Sequence, residues 1–126
     1  MTKYIKHPQH SSDGEKVVWK YQVDLEAGAQ EISLPIGAQL VHAEFVKSGF
    51  ADRRFFLWYE VDLERSTTSH EIVFEIFGTG DQGIPRMGKH VATGVEWNYD
   101  HRNTRTVPQW VWHLYEYPSG TEVFGE

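Results

Sequence analysis

Cysteine is absent from this chain of 126 residues. Its absence excludes a disulfide scaffold, a thiol nucleophile and a zinc site built on cysteine. Apolar runs of membrane-spanning length are lacking as well, so the sequence predicts no contact with a membrane. The N-terminus, M-T-K-Y-I-K-H-P-Q-H, has no apolar run after it and is unlike a signal peptide. These absences favour a cytoplasmic protein.

An excess of basic residues is also lacking. The formal net charge is −6, which argues against a nucleic-acid-binding protein, because such proteins carry a net basic field. Aromatic residues, by contrast, are abundant at 14% of the chain. This aromatic share favours a folded domain rich in strands over a disordered chain.

Apolar and polar residues alternate with a period of two along most of the chain, which is typical of half-buried strands. Turn residues separate the alternating segments, and no segment shows a helical period. The segments are residues 17–25, 32–36, 39–47, 55–63, 71–77, 91–97 and 110–117. The second of them contains Pro35, which predicts an edge strand, because proline cannot donate a ladder hydrogen bond. The sequence therefore predicts an all-β fold, an antiparallel sandwich or partly open barrel of about seven strands.

The chain has no internal linker and no repeat, so the prediction is one domain over residues 17–118. Residues 1–16 are polar and are predicted to form a flexible N-terminal arm, and residues 119–126 a C-terminal tail.

Two predicted strands carry large apolar side chains on both faces. In the last strand they are Trp110, Trp112 and Leu114 on one face, and Val111, Tyr115 and Tyr117 on the other. In the fourth, Phe56 and Trp58 lie opposite Phe55, Leu57 and Tyr59. A small sandwich buries only one face of each sheet, so a loop or another subunit must cover the surplus. We expect a homo-oligomer or a protein partner, with Trp110, Trp112 and Tyr115 as candidate interface residues.

The segment G-T-G-D-Q-G-I-P-R-M-G-K-H, residues 78–90, matches two nucleotide-binding patterns. Gly78, Gly80 and Gly83 fit G-x-G-x-x-G, and the segment from Gly83 to Lys89 fits G-x-x-x-x-G-K. Both motifs need a helix after the loop, and a strand pattern follows instead. We interpret the segment as a hairpin connection in which glycines adopt backbone angles that other residues avoid.

An anion site remains as an alternative, because glycine-rich turns can aim several N–H groups at one anion. Its candidate residues are Gly78, Gly80, Gly83, Arg86, Lys89 and His90, joined by Arg102 and Arg105 from the polar loop over residues 98–108. The two loops flank opposite ends of one predicted strand, so Arg102 and Arg105 could come from a neighbouring subunit.

Other chemistry has weak support in the sequence. Seven histidines are present, but no H-x-H or H-E-x-x-H spacing occurs, so no metal site and no cofactor is predicted. No G-x-S-x-G elbow exists. A hydrolase that uses His90 or His101 ranks last among the hypotheses, because no nucleophile, base and orienting group can be named together.

The motifs W-K-Y, L-P-I-G-A, F-L-W-Y, I-F-G-T-G, H-V-A-T-G and V-W-H-L-Y-E occur in this order over residues 18–117. The most specific are F-G-T-G at residues 77–80 and V-W-H-L-Y-E at residues 111–116. Together they resemble a family of short uncharacterised proteins of bacteriophages and prophage-like regions. The resemblance implies the cytoplasm of an infected bacterium, and it carries over no catalytic residue.

The leading hypothesis is a non-enzymatic accessory protein that acts by protein–protein contacts and self-association, with a host protein as a further partner. The alternative is a protein that binds or sequesters an anionic, nucleotide-like small molecule at residues 78–90. Nucleic acid is not an expected partner, given the acidic balance of the chain.

Overall fold

The computed structural model describes residues 15–48, 52–65, 68–99 and 106–120. The described residues form seven strands and two short 3-10 turns, Leu25–Ala27 and Leu63–Arg65. The strands are β1 (Lys16–Asp24), β2 (Gln30–Pro35), β3 (Gln39–Ser48), β4 (Asp52–Asp62), β5 (Ser69–Gly78), β6 (Lys89–Tyr99) and β7 (Thr106–Pro118). The predicted arm, apart from its last residues, and most of the predicted tail lie outside the described residues.

The strands form two antiparallel sheets that do not close into a barrel. Sheet A has the order β1-β4-β3, and sheet B has the order β2-β5-β7-β6. The fold is therefore the sandwich of the two predicted architectures. β2 lies at the edge of sheet B, as Pro35 predicts, because an edge strand leaves one side of its backbone unpaired.

The core lies between the sheets and is built mainly from alternate residues of the central strands. In β4 the pattern is strict: Phe55, Leu57, Tyr59 and Val61 are buried. Sheet B adds the buried side chains of Leu34, Phe74, Ile76 and Leu114, and Val23 comes from β1. The burial of β4 thus alternates with a period of two, as the sequence pattern predicts for a half-buried strand.

Much of the aromatic surplus is covered within one chain. On the outer face of sheet A, the Lys20 Nζ lies 3.9 Å from the centre of the Phe56 ring, and the His42 ring lies 5.2 Å from the Trp58 ring. On the outer face of sheet B, Phe77 and Tyr117 are buried. The sequence predicted a loop or another subunit as the cover. In sheet A, neighbouring side chains of the same sheet provide part of it.

Three tryptophan residues on the strands lie outside the core. Trp19, Trp97 and Trp110 are each 40% or more exposed. All three lie on strands with alternating patterns, so alternation alone does not separate the inner from the outer face.

The two sheets meet directly at one place along β3 and β6. Gly94 of β6 is buried, and a Cβ atom added to it would lie 2.2 Å from the Cβ atom of Phe45 in β3. A glycine at this position allows β3 to pack against the backbone of β6.

Candidate functional site

The glycine-rich segment is a connection between two strands. β5 ends at Gly78 and β6 begins at Lys89, so a strand and not a helix follows the loop. Gly80 and Gly83 have φ angles of +91° and +97°, which L side chains rarely adopt. The nucleotide motifs therefore lack the helix they need, and the two glycines are explained by the turn itself.

The same segment covers part of sheet B. Pro85 is buried, and a Cβ atom at Gly88 would lie 3.5 Å from Cδ2 of Tyr115 and 3.1 Å from Cγ2 of Ile84. Tyr115 also packs edge-on against Phe77, with 5.9 Å between the ring centres. This loop is the intramolecular cover for the aromatic residues of the outer face, which explains its length.

Several N–H groups of the glycine-rich segment, that of Gly78 in the predicted anion nest among them, already have acceptors within the chain. The Gly78 N–H donates to Oδ2 of Asp81 at 2.7 Å, and the Asp81 N–H donates back to the Gly78 carbonyl at 3.0 Å. The Gly88 N–H donates to the Pro85 carbonyl at 2.8 Å. A carboxylate of the protein itself thus occupies the place of an anion at Gly78.

The predicted cations of the anion site do not all meet. Arg86 is exposed on the loop. Lys89 and His90 are successive residues of β6, and the His90 ring lies against Tyr115 on the outer face, with 5.4 Å between ring centres. Arg102 and Arg105 lie outside the described residues.

A chain of two histidines and two threonines crosses the outer face of sheet B. Thr79 Oγ1 lies 2.9 Å from His113 Nε2, Thr93 Oγ1 lies 3.2 Å from His113 Nδ1, and His90 Nε2 lies 2.8 Å from Thr93 Oγ1. The chain joins both ends of the covering loop to β7. Sequence reasoning missed it because His113 is far in sequence from Thr79 and Thr93 and meets them only through the pairing of β7 with β5 and β6.

This arrangement brings a hydroxyl and an imidazole together, as nucleophilic catalysis requires. In the described part of the chain, however, no carboxylate contacts either imidazole, so the charged orienting group of a triad is missing. No group of three or more metal-ligating side chains occurs among the described residues either. We interpret the hydrogen-bonded chain as an anchor for the loop.

The three candidate interface residues lie on two surfaces. Trp110 and Trp112 share a face of β7 and stack, with 6.1 Å between ring centres and an interplanar angle of 26°. Together with Gly78, Thr79, Asp81 and Val111 they line a groove of about 340 Å³, which we call the tryptophan groove. Tyr115 points to the opposite face, under the loop. Trp110 is 52% exposed, so the tryptophan groove opens to solvent.

A buried carboxylate lies beside the tryptophan groove. Glu96 of β6 is 2% exposed and accepts hydrogen bonds from Nε and Nη2 of Arg53 at 2.6 and 3.1 Å. The Trp112 Nε1–H donates to the same carboxylate at 3.1 Å, and Lys47 Nζ lies 3.1 Å away. Arg53 and Lys47 belong to sheet A, so this cluster joins the two sheets at the end of the β3–β6 contact.

The contact between Glu96 and Arg53 shifts the pKa values of both side chains. The hydrogen bonds from Arg53 lower the pKa of Glu96 to about 2, against the opposing effect of burial. The hydrogen bond to Glu96 raises the pKa of Arg53. A perturbed carboxylate can mark an active site, but here every oxygen is paired and nearly inaccessible, so we assign Glu96 a structural role.

In the described ranges no helix is long and apolar enough to cross a membrane. No curated protein and no solved structure matches the chain. The sequence model of one family, a domain of unknown function named DUF7352, matches residues 14–123, and the chain belongs to that family.

Proposed function

We propose that this chain is a non-enzymatic binding protein that acts through protein–protein contacts and self-associates through the tryptophan groove. The observation that carries this proposal is the exposed indole of Trp110, stacked on Trp112 at the side of an open groove. Tryptophan is among the residues that contribute most to binding energy at protein interfaces, because a rigid ring buries a large area.

A second copy of the chain suits this surface because a pair of stacked indoles is self-complementary. In a two-fold symmetric contact the same patch serves both subunits, and flat rings can stack on each other. Each copy has a formal net charge of −6, so the copies repel each other at long range. Added salt screens this repulsion, and self-association should therefore strengthen between low and physiological ionic strength.

We expect Trp110→Ala to weaken self-association roughly 30-fold or more, which corresponds to the loss of about 2 kcal/mol at an interface hot spot. Sedimentation equilibrium over a range of concentrations measures the change. Trp97→Ala is the matched control, because Trp97 is 51% exposed on the neighbouring strand but does not line the groove. A wild-type protein that stays monomeric at tens of micromolar, or an equal effect of both variants, would contradict the proposal.

The cellular setting that we propose is the cytoplasm of a bacterium that carries a phage or prophage. The support is the resemblance of F-G-T-G at residues 77–80 and V-W-H-L-Y-E at residues 111–116 to phage-associated proteins. A host protein is then a further partner of the same groove. Retention of one defined bacterial protein by the wild type, lost in Trp110→Ala and kept in Trp97→Ala, is the expected result. Equal retention by all three proteins would count against it.

The anionic ligand at residues 78–90 is the second candidate, and the exposed Arg86 and Lys89 favour it. With Gly78 bonded to Asp81, these two cations must provide most of the affinity. We expect the double variant Arg86→Ala, Lys89→Ala to reduce the binding of ATP at least about tenfold, since charge-assisted hydrogen bonds are stronger than neutral ones. Isothermal titration calorimetry checks this, and unchanged affinity would remove the candidate.

A further inference from the structure

A second concave site lies between the two sheets. It is a cleft of about 400 Å³ whose walls come from β2, β3, β4, β5, β6 and β7. On the β3–β6 side it is lined by Leu40 and Val91, which precede Phe45 and Gly94 on the same two strands. The two sheets therefore touch at Phe45 and Gly94 and lie further apart towards the first residues of both strands. We call this opening the inter-sheet cleft.

The lining of the inter-sheet cleft is mixed, with apolar and polar groups in similar proportion. Leu34, Leu40, Ile72 and Val91 contribute apolar walls. The polar and charged groups come from Tyr59, His70, Lys89, His90 and Glu116. Its volume lies in the range of about 300–1,000 Å³ that is usual for small-molecule sites.

The hydroxyl group of Tyr59 provides the first observation that points to a ligand. Tyr59 is only 4% exposed, and its side chain lines the cleft. Among the described residues its hydroxyl has no hydrogen-bond partner, and no buried side-chain oxygen lacks one, so the hydroxyl oxygen is accessible from the cleft although the ring is buried. Burial, followed by the charge of Glu116, raises the pKa of Tyr59, so the group is a neutral hydroxyl that can donate. A ligand in the cleft would supply the missing acceptor.

The second observation is a pair of opposite charges. Lys89 of β6 and Glu116 of β7 are directly opposite each other in the antiparallel register. Such neighbours have Cβ atoms about 5 Å apart and usually interact. Nevertheless, no N···O distance of 4 Å or less joins them, and neither has another ion-pair partner in the described ranges. Both charges remain available to groups in the cleft.

We propose that the inter-sheet cleft binds a small zwitterion with an apolar side chain, of the free amino acid class. Lys89 holds the carboxylate, Glu116 holds the ammonium group, Tyr59 donates to the carboxylate, and the apolar side chain packs against Leu34 and Ile72. A ligand with only an anionic group would place its charge beside Glu116, and one with only a cationic group would face Lys89. Either case adds like-charge repulsion that a zwitterion avoids.

Three probes with the same branched apolar tail test the ligand class on the full chain. They are free leucine, isocaproate, which lacks the amino group, and isoamylamine, which lacks the carboxylate. We expect saturable amide shifts in an NMR titration with leucine, and at least about tenfold weaker binding of each of the other two, because a hydrogen bond to a charged group is lost. No saturable shift with leucine, or equal binding of leucine and isocaproate, would overturn the proposal.

Substitutions of Lys89 and Glu116 then test which of the two residues contacts which charged group of the ligand. Lys89→Gln should weaken the binding of leucine and isocaproate but not of isoamylamine, and Glu116→Gln should weaken leucine and isoamylamine but not isocaproate. The opposite pattern, or no effect of either variant, would overturn the assignment. Trp110→Ala should leave leucine binding unchanged, so that failure here and failure of the tryptophan groove are separate results.

Tyr59→Phe separates a ligand contact from a structural role. The variant keeps the ring in the core and removes a hydroxyl that makes no hydrogen bond within the described chain, so the melting temperature should be unchanged. Leucine affinity should nevertheless fall about fivefold or more, the size of a net hydrogen bond. Tyr21→Phe is the control, because Tyr21 packs edge-on against Tyr59 but does not line the cleft. Undiminished affinity in Tyr59→Phe would overturn the role of the hydroxyl.

Discussion

Alanine at position 94 is expected to lower the free energy of unfolding by about 3 kcal/mol, the upper part of the range for overpacked cores. Gly94 has no positive φ angle, so the backbone itself accepts alanine. In a strand interior, alanine would otherwise stabilise the fold by roughly 0.5–1 kcal/mol. The expected loss therefore comes entirely from the new Cβ atom, which would lie 2.2 Å from Cβ of Phe45. Chemical denaturation measures the change.

The double variant Gly94→Ala, Phe45→Gly is the control for this explanation, because glycine at position 45 removes the Cβ atom that the new methyl group would meet. Phe45→Gly alone is expected to be destabilising by about 4 kcal/mol, because Phe45 packs against the core and glycine weakens a strand. The loss of the Phe45 Cβ leaves room for the new methyl group, so the double variant should be more stable than the sum of the two single effects predicts by more than about 1 kcal/mol. Simple additivity would show that the contact between β3 and β6 is not the cause.

The fold class follows from local patterns, which is why the sequence predicts it. The alternation in β4 requires only that each residue face away from its neighbour in the strand, and Phe55, Leu57 and Val61 are buried as this rule demands. Pro35 predicts an edge strand for an equally local reason. The choice between sandwich and barrel depends on the order of strands in each sheet, and no local pattern contains that order.

The inward face of β6 shows where alternation fails. The sequence groups Val91 with Thr93, Val95 and Trp97, yet the buried residues of this strand are Gly94 and Glu96. A register irregularity between His90 and Ala92 lets both Val91 and Ala92 pack towards the core. One extra residue in a strand moves every later side chain to the opposite face of the sheet. The sequence pattern alone therefore places Glu96 on the solvent-exposed face of β6.

The candidate sites depend even more on tertiary structure. The turn glycines of residues 78–90 are recognisable in the sequence, because a positive φ angle is a local property. The groups around Tyr59 are not, because Lys89 and Glu116 become neighbours only through the pairing of β6 and β7. Residues from strands that are distant in sequence line both the tryptophan groove and the inter-sheet cleft.

Glutamine at position 96 is expected to lower the free energy of unfolding at neutral pH by about 3 kcal/mol. It keeps the shape of the side chain but removes the charge that Arg53 and Lys47 neutralise, and a buried ion pair that loses one partner leaves the other uncompensated. Glu26→Gln is the matched control, because Glu26 lies 3.9 Å from the same guanidinium but its side chain is 51% exposed. Its loss should change the stability by less than about 1 kcal/mol.

The effect of Glu96→Gln should also depend on pH. The pKa of Glu96 falls from 4.5 to about 2 on folding, so the unfolded chain binds a proton at a higher pH than the folded chain. Stability from this group is fully present above pH 4.5 and is lost as the pH falls towards 2, and a shift of this size corresponds to about 3 kcal/mol. The difference in unfolding free energy between wild type and Glu96→Gln should therefore be largest at pH 6 and shrink below pH 4. Other carboxyl groups titrate alike in both proteins and cancel in this difference. A difference that stayed constant down to pH 2.5 would mean that the charge of Glu96 does not hold the two sheets together.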